Sequence, residues 1–517
     1  MVYCFLSMFW HRLMVFGALM GLGLTASGQD DGKALTHRQW FETRTAHFNV
    51  YSCGTAPEVC RVAGQLEQFR EAYGLMAGAN AVASPPIVVM AFPDLETMQP
   101  FLPLYEGKPA NLAGFFKPST DENLIVLALS GTNPTAMSTI FHEYDHLLMR
   151  GNDPVWPPWL QEGMAEIYST FEATGRGVTV GKPIEHHLRR LAQSPWIPLH
   201  KLLAVTHESP EYNESDRQGV FYAESWLLTH YLMNGDDLVL RKRFKDFTAL
   251  LWRGQKQEQA FTNALRLPLP VIEARLHRYL ERGDLQPIGY VVSVDLSAPR
   301  AVATRNLGRA ETCFRLGNEL MRLGRLDDSE PYFQTTQELI PASPLAHEGL
   351  GLLAAEREQH AAAVKELQEC LRLGSASFLA HYVYAQERLQ LLEDPHGRFG
   401  RIEAGTAKEL RAILQRAIAL MPSFGPAHEL LGFLELAQGE DLGAAEEQLR
   451  LAIQLEPDNR WYLLTLAQAQ MRSKDDTAAR RTLEPLRRLP NVESKLRAKA
   501  NELMSEIDQQ AARKASQ

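Results

Sequence analysis

Five cysteines in 517 residues, no basic run, no glycine-rich phosphate loop and no long apolar stretch after residue 28 are what this chain does without. So few thiols exclude a small scaffold held together by disulfides. A net charge of −9 with no cluster of Lys and Arg argues against a nucleic-acid binder. The missing phosphate loop removes the motif that would mark a nucleotide site. Charged residues at 22% and hydrophobic ones at 45% are ordinary for a soluble globular protein. A length of 517 residues is too great for one core and predicts two or three domains.

The first 28 residues contain no acid, and the apolar run Leu13 to Ala26 follows His11-Arg12 and ends at Ala26-Ser27-Gly28. That pattern fits a signal peptide cleaved before Gln29 and is short for a spanning helix. The apolar stretch Val2 to Trp10 leaves open a start at Met8 or retention as an anchor. The expectation is an exported protein, periplasmic or extracellular, on a membrane only if this segment stays uncleaved. Four cysteines remain after cleavage. Cys53 and Cys60 lie seven apart, between an apparent strand (His47 to Tyr51) and an apparent helix, and an oxidising compartment favours their pairing. Cys313 and Cys370 fall at small-residue positions and read as packing.

What the chain does have is His142-Glu143-Tyr144-Asp145-His146, an H-E-x-x-H motif in a stretch whose apolar residues Ile140, Phe141, Leu147 and Leu148 are spaced as on a helix. Residues four apart share a helix face, so both imidazoles reach one metal ion, and Glu143 faces the water that the ion would hold. A five-residue motif recurs by chance. The second signal is Trp159-Leu160-Gln161-Glu162-Gly163-Met164-Ala165-Glu166, in which fifteen residues separate His146 from Glu162. Two His and one carboxylate leave a fourth tetrahedral position open, as a catalytic zinc ion requires.

Together, H-E-x-x-H and W-L-x-E-G-x-A resemble the gluzincin metallopeptidases, in particular the M1-like and peptidase-MA-like groups, over about Trp40 to Gly283. The resemblance implies Zn2+ held by His142, His146 and Glu162, with Glu143 as general base. Tyr222, in Tyr222-Ala223-Glu224-Ser225-Trp226, matches the position at which M1-type enzymes place an oxyanion-stabilising Tyr, although a Tyr opening an amphipathic helix also serves as a core anchor. Glu166 is assigned to orienting a ligand His, and Asp145 either to similar work or to solvent. Two departures stand out. The loop Arg150 to Pro158 is shorter than in M1 enzymes, and Asn123 to Leu129 carries no G-x-M-E-N motif, so aminopeptidase specificity is not implied.

Around the motif, Phe48 to Tyr51 and Ile87 to Phe92 read as strands, Val59 to Met76 as a helix, and Ala113 to Phe116 with Leu124 to Leu129 as a hairpin leading into the zinc helix. The resemblance to zincin folds implies that the strand before the zinc helix lies at the sheet edge, where an extended peptide would add as a further strand. Helices are expected at Ile184 to Leu203, Val220 to Met233, Asp236 to Arg253 and Leu269 to Arg282, with His186 and His187 as solvated residues of the first. Beyond Arg305, Leu316-Gly317, Leu350-Gly351, Tyr384-Ala385, Leu431-Gly432 and Leu466-Ala467 recur at steps of 34, 34, 47 and 35 residues. That is the tetratricopeptide period. Phe333, Leu367, Leu414, Leu449 and Leu483 form a second recurring column, and an insertion near 393–406 accounts for the long step.

The sequence therefore predicts an α+β zincin-like domain with a mixed sheet and a zinc helix, followed by an all-α tetratricopeptide-repeat solenoid. The expected boundaries are a signal peptide at 1–28, the metallopeptidase domain at 29–290, a linker at 291–304, about five repeats at 305–491 and a capping helix and tail at 492–517. The function expected is that of an exported zinc-dependent peptidase, an endopeptidase, with the concave face of the repeats binding a protein partner. The alternative is an inactive envelope scaffold in which the repeats alone bind.

Overall fold

The computed structural model describes residues 28–77, 87–105, 107–110, 112–129, 134–150, 156–206, 209–213, 215–297, 303–394, 402–488 and 492–515. Residues 1–27 of the expected signal segment lie outside them, and no helix among the described residues is long and apolar enough to cross a membrane.

The first half is built on a six-stranded mixed sheet in the order β11-β1-β2-β3-β7-β6. Its strands are β1 (Trp40–Arg44), β2 (Phe48–Ser52), β3 (Ile87–Phe92), β6 (Gly114–Lys117), β7 (Asn123–Ala128) and β11 (Ala303–Leu307). Strands β2, β3 and β7 run parallel, and β1, β6 and β11 pair antiparallel to their neighbours. Short ribbons are made by β4 (Leu104–Tyr105) with β5 (Lys108–Pro109), and by β8 (Glu172–Thr174), β9 (Gly177–Val180) and β10 (Ile288–Val291). The strand before the helix that carries His142 and His146, β7, is interior. The edge is its hairpin partner β6, because the hairpin folds outward.

Strands β3 and β7 are buried at every position, as continuous apolar runs require when both sheet faces are covered. One face, with Val50, Val89, Ile125 and Leu127, packs on α2 (Ala56–Ala77), α4 (Pro134–Arg150), α5 (Pro158–Ser169) and the helices beyond. Those are α6 (Glu185–Gln193), α7 (Leu199–Leu202), α8 (Pro210–Asn213), α9 (Ser215–Asn234), α10 (Leu238–Trp252), α11 (Gln257–Leu265) and α12 (Leu269–Arg282). The helix expected over 184–203 is two, α6 and α7, divided by Pro195 and Pro198, which cannot continue a helical hydrogen-bond ladder.

The other face, with Tyr51, Val88, Met90, Phe92 and Val126, packs on α1 (Gly28–Leu35), α3 (Leu95–Met98) and Leu316, Leu320 and Tyr332 of the first repeat. The repeats are thus joined to the sheet by a shared core. The expected linker at 291–304 does not separate them: Ile288–Val291 pairs with β9, and Ala303–Leu307 pairs with β1 across the expected boundary. Polar contacts seal the junction. Arg322 makes a bidentate ion pair with Asp121 in the β6–β7 turn (Nη2–Oδ2 2.6 Å), Arg325 donates to the carbonyl of Pro100, and Arg315 stacks on Tyr51 at 4.7 Å. Cys53 and Cys60 are not bonded to each other. Cys53 packs with the core under the repeats, whereas Cys60 sits on α2 across the sheet, 3.3 Å from the hydroxyl of Thr304.

Five helix pairs follow in the described residues: α13 (Arg309–Arg322) with α14 (Leu326–Leu339), α15 (Pro344–Glu356) with α16 (His360–Arg372), α17 (Phe378–Gln390) with α18 (Ala404–Leu420), α19 (Gly425–Gln438) with α20 (Leu442–Leu455), and α21 (Tyr462–Arg472) with α22 (Asp476–Arg488). The two sequence columns meet inside each pair. A Cβ at Gly317, Gly351 or Gly432 would lie 2.9, 2.6 and 2.7 Å from Phe333, Leu367 and Leu449 respectively, so only glycine allows the two helices this approach. The last helix, α23 (Ser494–Ala515), buries Leu496, Ala500, Leu503 and Ile507 against α21 and α22 and closes the stack.

Because repeat one covers a sheet face, a chain ending at Gly289 should lose the cooperative melt of the full protein and bind a hydrophobic dye. A soluble fragment with an unchanged melting temperature would show that the shared core is dispensable.

Candidate metal centre

Helix α4 is fixed before its histidines are considered. Its Phe141 stacks on Phe69 of α2 at 4.7 Å, and its Tyr144 hydroxyl accepts a hydrogen bond from Arg70 at 2.8 Å. With that face committed, His142 and His146, one turn apart, project together from the flank toward α5. Helix α5 is anchored by Trp159, which packs on Phe247 and Phe261 and donates to Gln257. Gly163 sets its approach to α9: a Cβ there would lie 2.5 Å from the Ser225 carbonyl and closer still to the Thr229 hydroxyl. Glycine after Glu162 is therefore a packing requirement that seats the carboxylate.

The structure brings His142, His146 and Glu162 to one point. The His142 and His146 Nε2 atoms are 3.2 Å apart, and Glu162 Oε2 is 3.3 Å from the first and 3.4 Å from the second. Donors about 2.0–2.1 Å from a tetrahedral zinc ion lie about 3.3–3.4 Å from one another. The triangle matches that size. Glu162 Oε1 accepts from the Tyr212 hydroxyl at 2.8 Å, while Oε2 is buried with no hydrogen bond among the described residues, which leaves its lone pair for the point the two imidazoles share. Two nitrogens and one carboxylate oxygen form a donor set that suits zinc.

The surroundings are acidic. Burial opposes charge on His142, yet Glu166, Glu162 and Glu143 raise its pKa to about 10. Burial would raise Glu162, but both histidines pull it far below the usual carboxylate range. Glu166 Oε1 lies 3.6 Å from His142 Nδ1, and its Oε2 lies 3.2 Å from His187 Nε2. His187 is therefore not a solvated residue. It is 3% exposed beside Trp226, while His186 alone on that helix keeps the expected exposure. Asp145 is fully buried rather than solvent-facing, and its charge acts on Tyr168.

Tyr222, on α9, brings its ring centroid within 6.2 Å of His142, and its hydroxyl accepts from Gln218 at 3.1 Å. Burial, with Glu162, Glu143 and Glu166 nearby, raises its pKa and keeps it a phenol. Tyr212, which no spacing in the sequence marks, comes from the short helix α8 and packs beside Tyr222. The loop at 151–155 lies outside the described residues.

Comparison with known proteins concerns the second half. Residues 310–343 match the tetratricopeptide repeat family, and this helix pair is such a repeat. No curated protein matches the chain by sequence. Among solved structures, the chain is similar to YrrB, described as a TPR protein with an unusual peptide-binding site (16% identity, 37% of this chain and 92% of that one, TM-score 0.31). It is also similar to a thermophilic TPR protein of Thermus thermophilus (20% identity, 38% and 98%, TM-score 0.29) and to PilW, a type IV pilus biogenesis factor (17% identity, 39% and 91%, TM-score 0.31).

Two outcomes follow from this packing. Gly163→Ala should force α5 from α9, costing about 1–3 kcal/mol of stability and lowering zinc occupancy; unchanged metal content by mass spectrometry would free Glu162 from that constraint. Glu224, 2% exposed and accepting from Ile197 N at 2.6 Å, has its pKa raised by burial to about 8. Its folded pKa exceeds the unfolded one, so its contribution to stability is complete below about pH 4.5 and is lost as pH rises toward 8. Glu224→Gln should flatten the melting temperature across that window, and an unaltered profile would place the titration elsewhere.

Proposed function

We propose that the chain is a protein-binding repeat protein whose sheet domain carries a zinc-dependent peptidase centre. The single observation that carries the second part is the triangle of donors at 3.2, 3.3 and 3.4 Å made by His142, His146 and Glu162. Zinc bound there would supply a Lewis acid that polarises a carbonyl and acidifies water. The remaining work falls to the chain's own groups. Glu143, one position round the helix from His142, takes the proton of the attacking water and delivers it to the leaving amine. Tyr222 donates its phenol hydrogen to the carbonyl oxygen as charge develops. Glu166 holds His142 in one orientation and Tyr212 holds Glu162, as supporting groups around metal ligands do. The open edge of β6 gives an extended backbone a strand to pair with. Export, expected from the apolar run at 13–26, belongs to the same reading.

A second reading has its own support. The tetratricopeptide match at 310–343 speaks for protein binding alone, in a scaffold whose metal centre does no chemistry. Both readings give the repeats the same task and differ in whether Glu143 matters. The deciding experiment is metal content with cleavage of a mixed peptide library. Glu143→Gln should keep zinc and lose hydrolysis, since an amide preserves shape and accepts no proton. Tyr222→Phe should slow turnover about 100-fold. A wild type that holds zinc and cleaves nothing establishes the scaffold.

A further inference from the structure

The β6–β7 turn and the repeats enclose a cleft lined by one helix from each of the first four pairs, α13, α15, α17 and α19. Its apolar wall is Leu352, Tyr382, Phe424 and Pro426, with the Tyr382 and Phe424 rings edge to face at 5.1 Å. Its free volume is about 80 Å3. That is room for about six waters, or for one long side chain, and excludes a helix.

The charges lining it do not balance. Lys117 and Arg322 face Asp121, Glu122 and Glu356, two cations against three carboxylates. Arg322 is committed to Asp121 and Glu122, and the Lys117 ammonium donates to the Arg322 carbonyl. Glu356 makes no hydrogen bond or ion pair among the described residues. Burial raises its pKa to about 7, with Arg322 and Lys117 lowering it and Asp121 raising it. A half-buried carboxylate beside two aromatic rings is a site for a cation carried on an alkyl stem, which wets its head and buries its methylenes. Lys117, at one wall, is also the last residue of the edge strand β6, so the cleft adjoins that end of the sheet edge.

We propose that this cleft takes one Lys or Arg side chain of an extended protein segment, with its stem on Tyr382 and Phe424 and its charge on Glu356. The proposal rests on the reading of the repeats as protein-binding and is independent of the metal. It is tested by fluorescence anisotropy on the full chain carrying Glu143→Gln, so that no peptide is cut. The probes are fluorescein-labelled degenerate decapeptide libraries with a fixed central Lys, norleucine or Glu. The Lys library should bind about tenfold tighter than the norleucine library, as one charge-assisted contact provides, and added Glu356→Gln should erase the difference with the melt intact. Equal binding of the three libraries, or a Lys preference that survives Glu356→Gln, overturns the cleft assignment alone. No binding of any library overturns the reading of the repeats as well. Self-association without peptide binding, seen by sedimentation, assigns the cleft to a second copy and also overturns it.

Discussion

A sheet that is apolar on both faces cannot stand with one face bare, and this constraint organises the whole molecule. Burying a face that includes Tyr51, Val88, Met90, Phe92 and Val126 needs a cover, and the chain takes that cover from α1, α3 and the first repeat. At roughly 25 cal/mol per Å2 of apolar surface, a face of five large side chains is worth several kcal/mol, comparable with the net stability of a domain. The repeats are thus part of the fold that holds α4 in place. Strand β11 makes the same point in the backbone, since it pairs along all of β1 and leads directly into α13.

The candidate metal centre follows from packing on the opposite face. Nothing in the donor triangle is held by the donors themselves. Phe141 and Tyr144 lock α4, Trp159 and Gly163 lock α5, and the three donor atoms converge because those two helices cannot shift. Once converged, they are an electrostatic liability. Glu143, Glu162 and Glu166 all act on one half-buried imidazole, that of His142, and carboxylates withdrawn from water are costly unless a cation compensates. A divalent ion held by these donors would compensate them, which is the physical reason to expect affinity here.

The parts of this arrangement that were legible in the sequence are those with a local period. H-E-x-x-H is one helical turn, and the Gly–Leu columns of the repeats are a 34-residue recurrence whose meaning, a glycine facing a bulky residue on the paired helix, is visible in Gly351 against Leu367. Tyr212 could not be read, because its link to Glu162 spans fifty residues and arises from tertiary packing. His187 could have been: Ile184, His187 and Leu191 make one apolar stripe on α6, so His187 sits on the buried face. The segment 291–304 read as a linker because the strands at its two ends, β10 and β11, are short and pair with partners far away in sequence, β9 at a distance of about a hundred residues and β1 farther still.

The β6–β7 hairpin is where the two halves meet mechanically. On one side its turn is gripped by Arg322 through both oxygens of Asp121; on the other, β7 runs through the sheet centre and leads to α4. Removing one partner of a buried ion pair costs about 3–5 kcal/mol because the other charge is stranded, so the grip is firm on the scale of domain stability. A protein segment held on the repeats would therefore not be tethered at the end of a flexible linker, searching for the metal centre by diffusion. Under the proposed reading it would be carried on a body that is packed against the sheet. Selectivity can then reside in the repeats while the backbone pairing at the sheet edge remains indifferent to sequence.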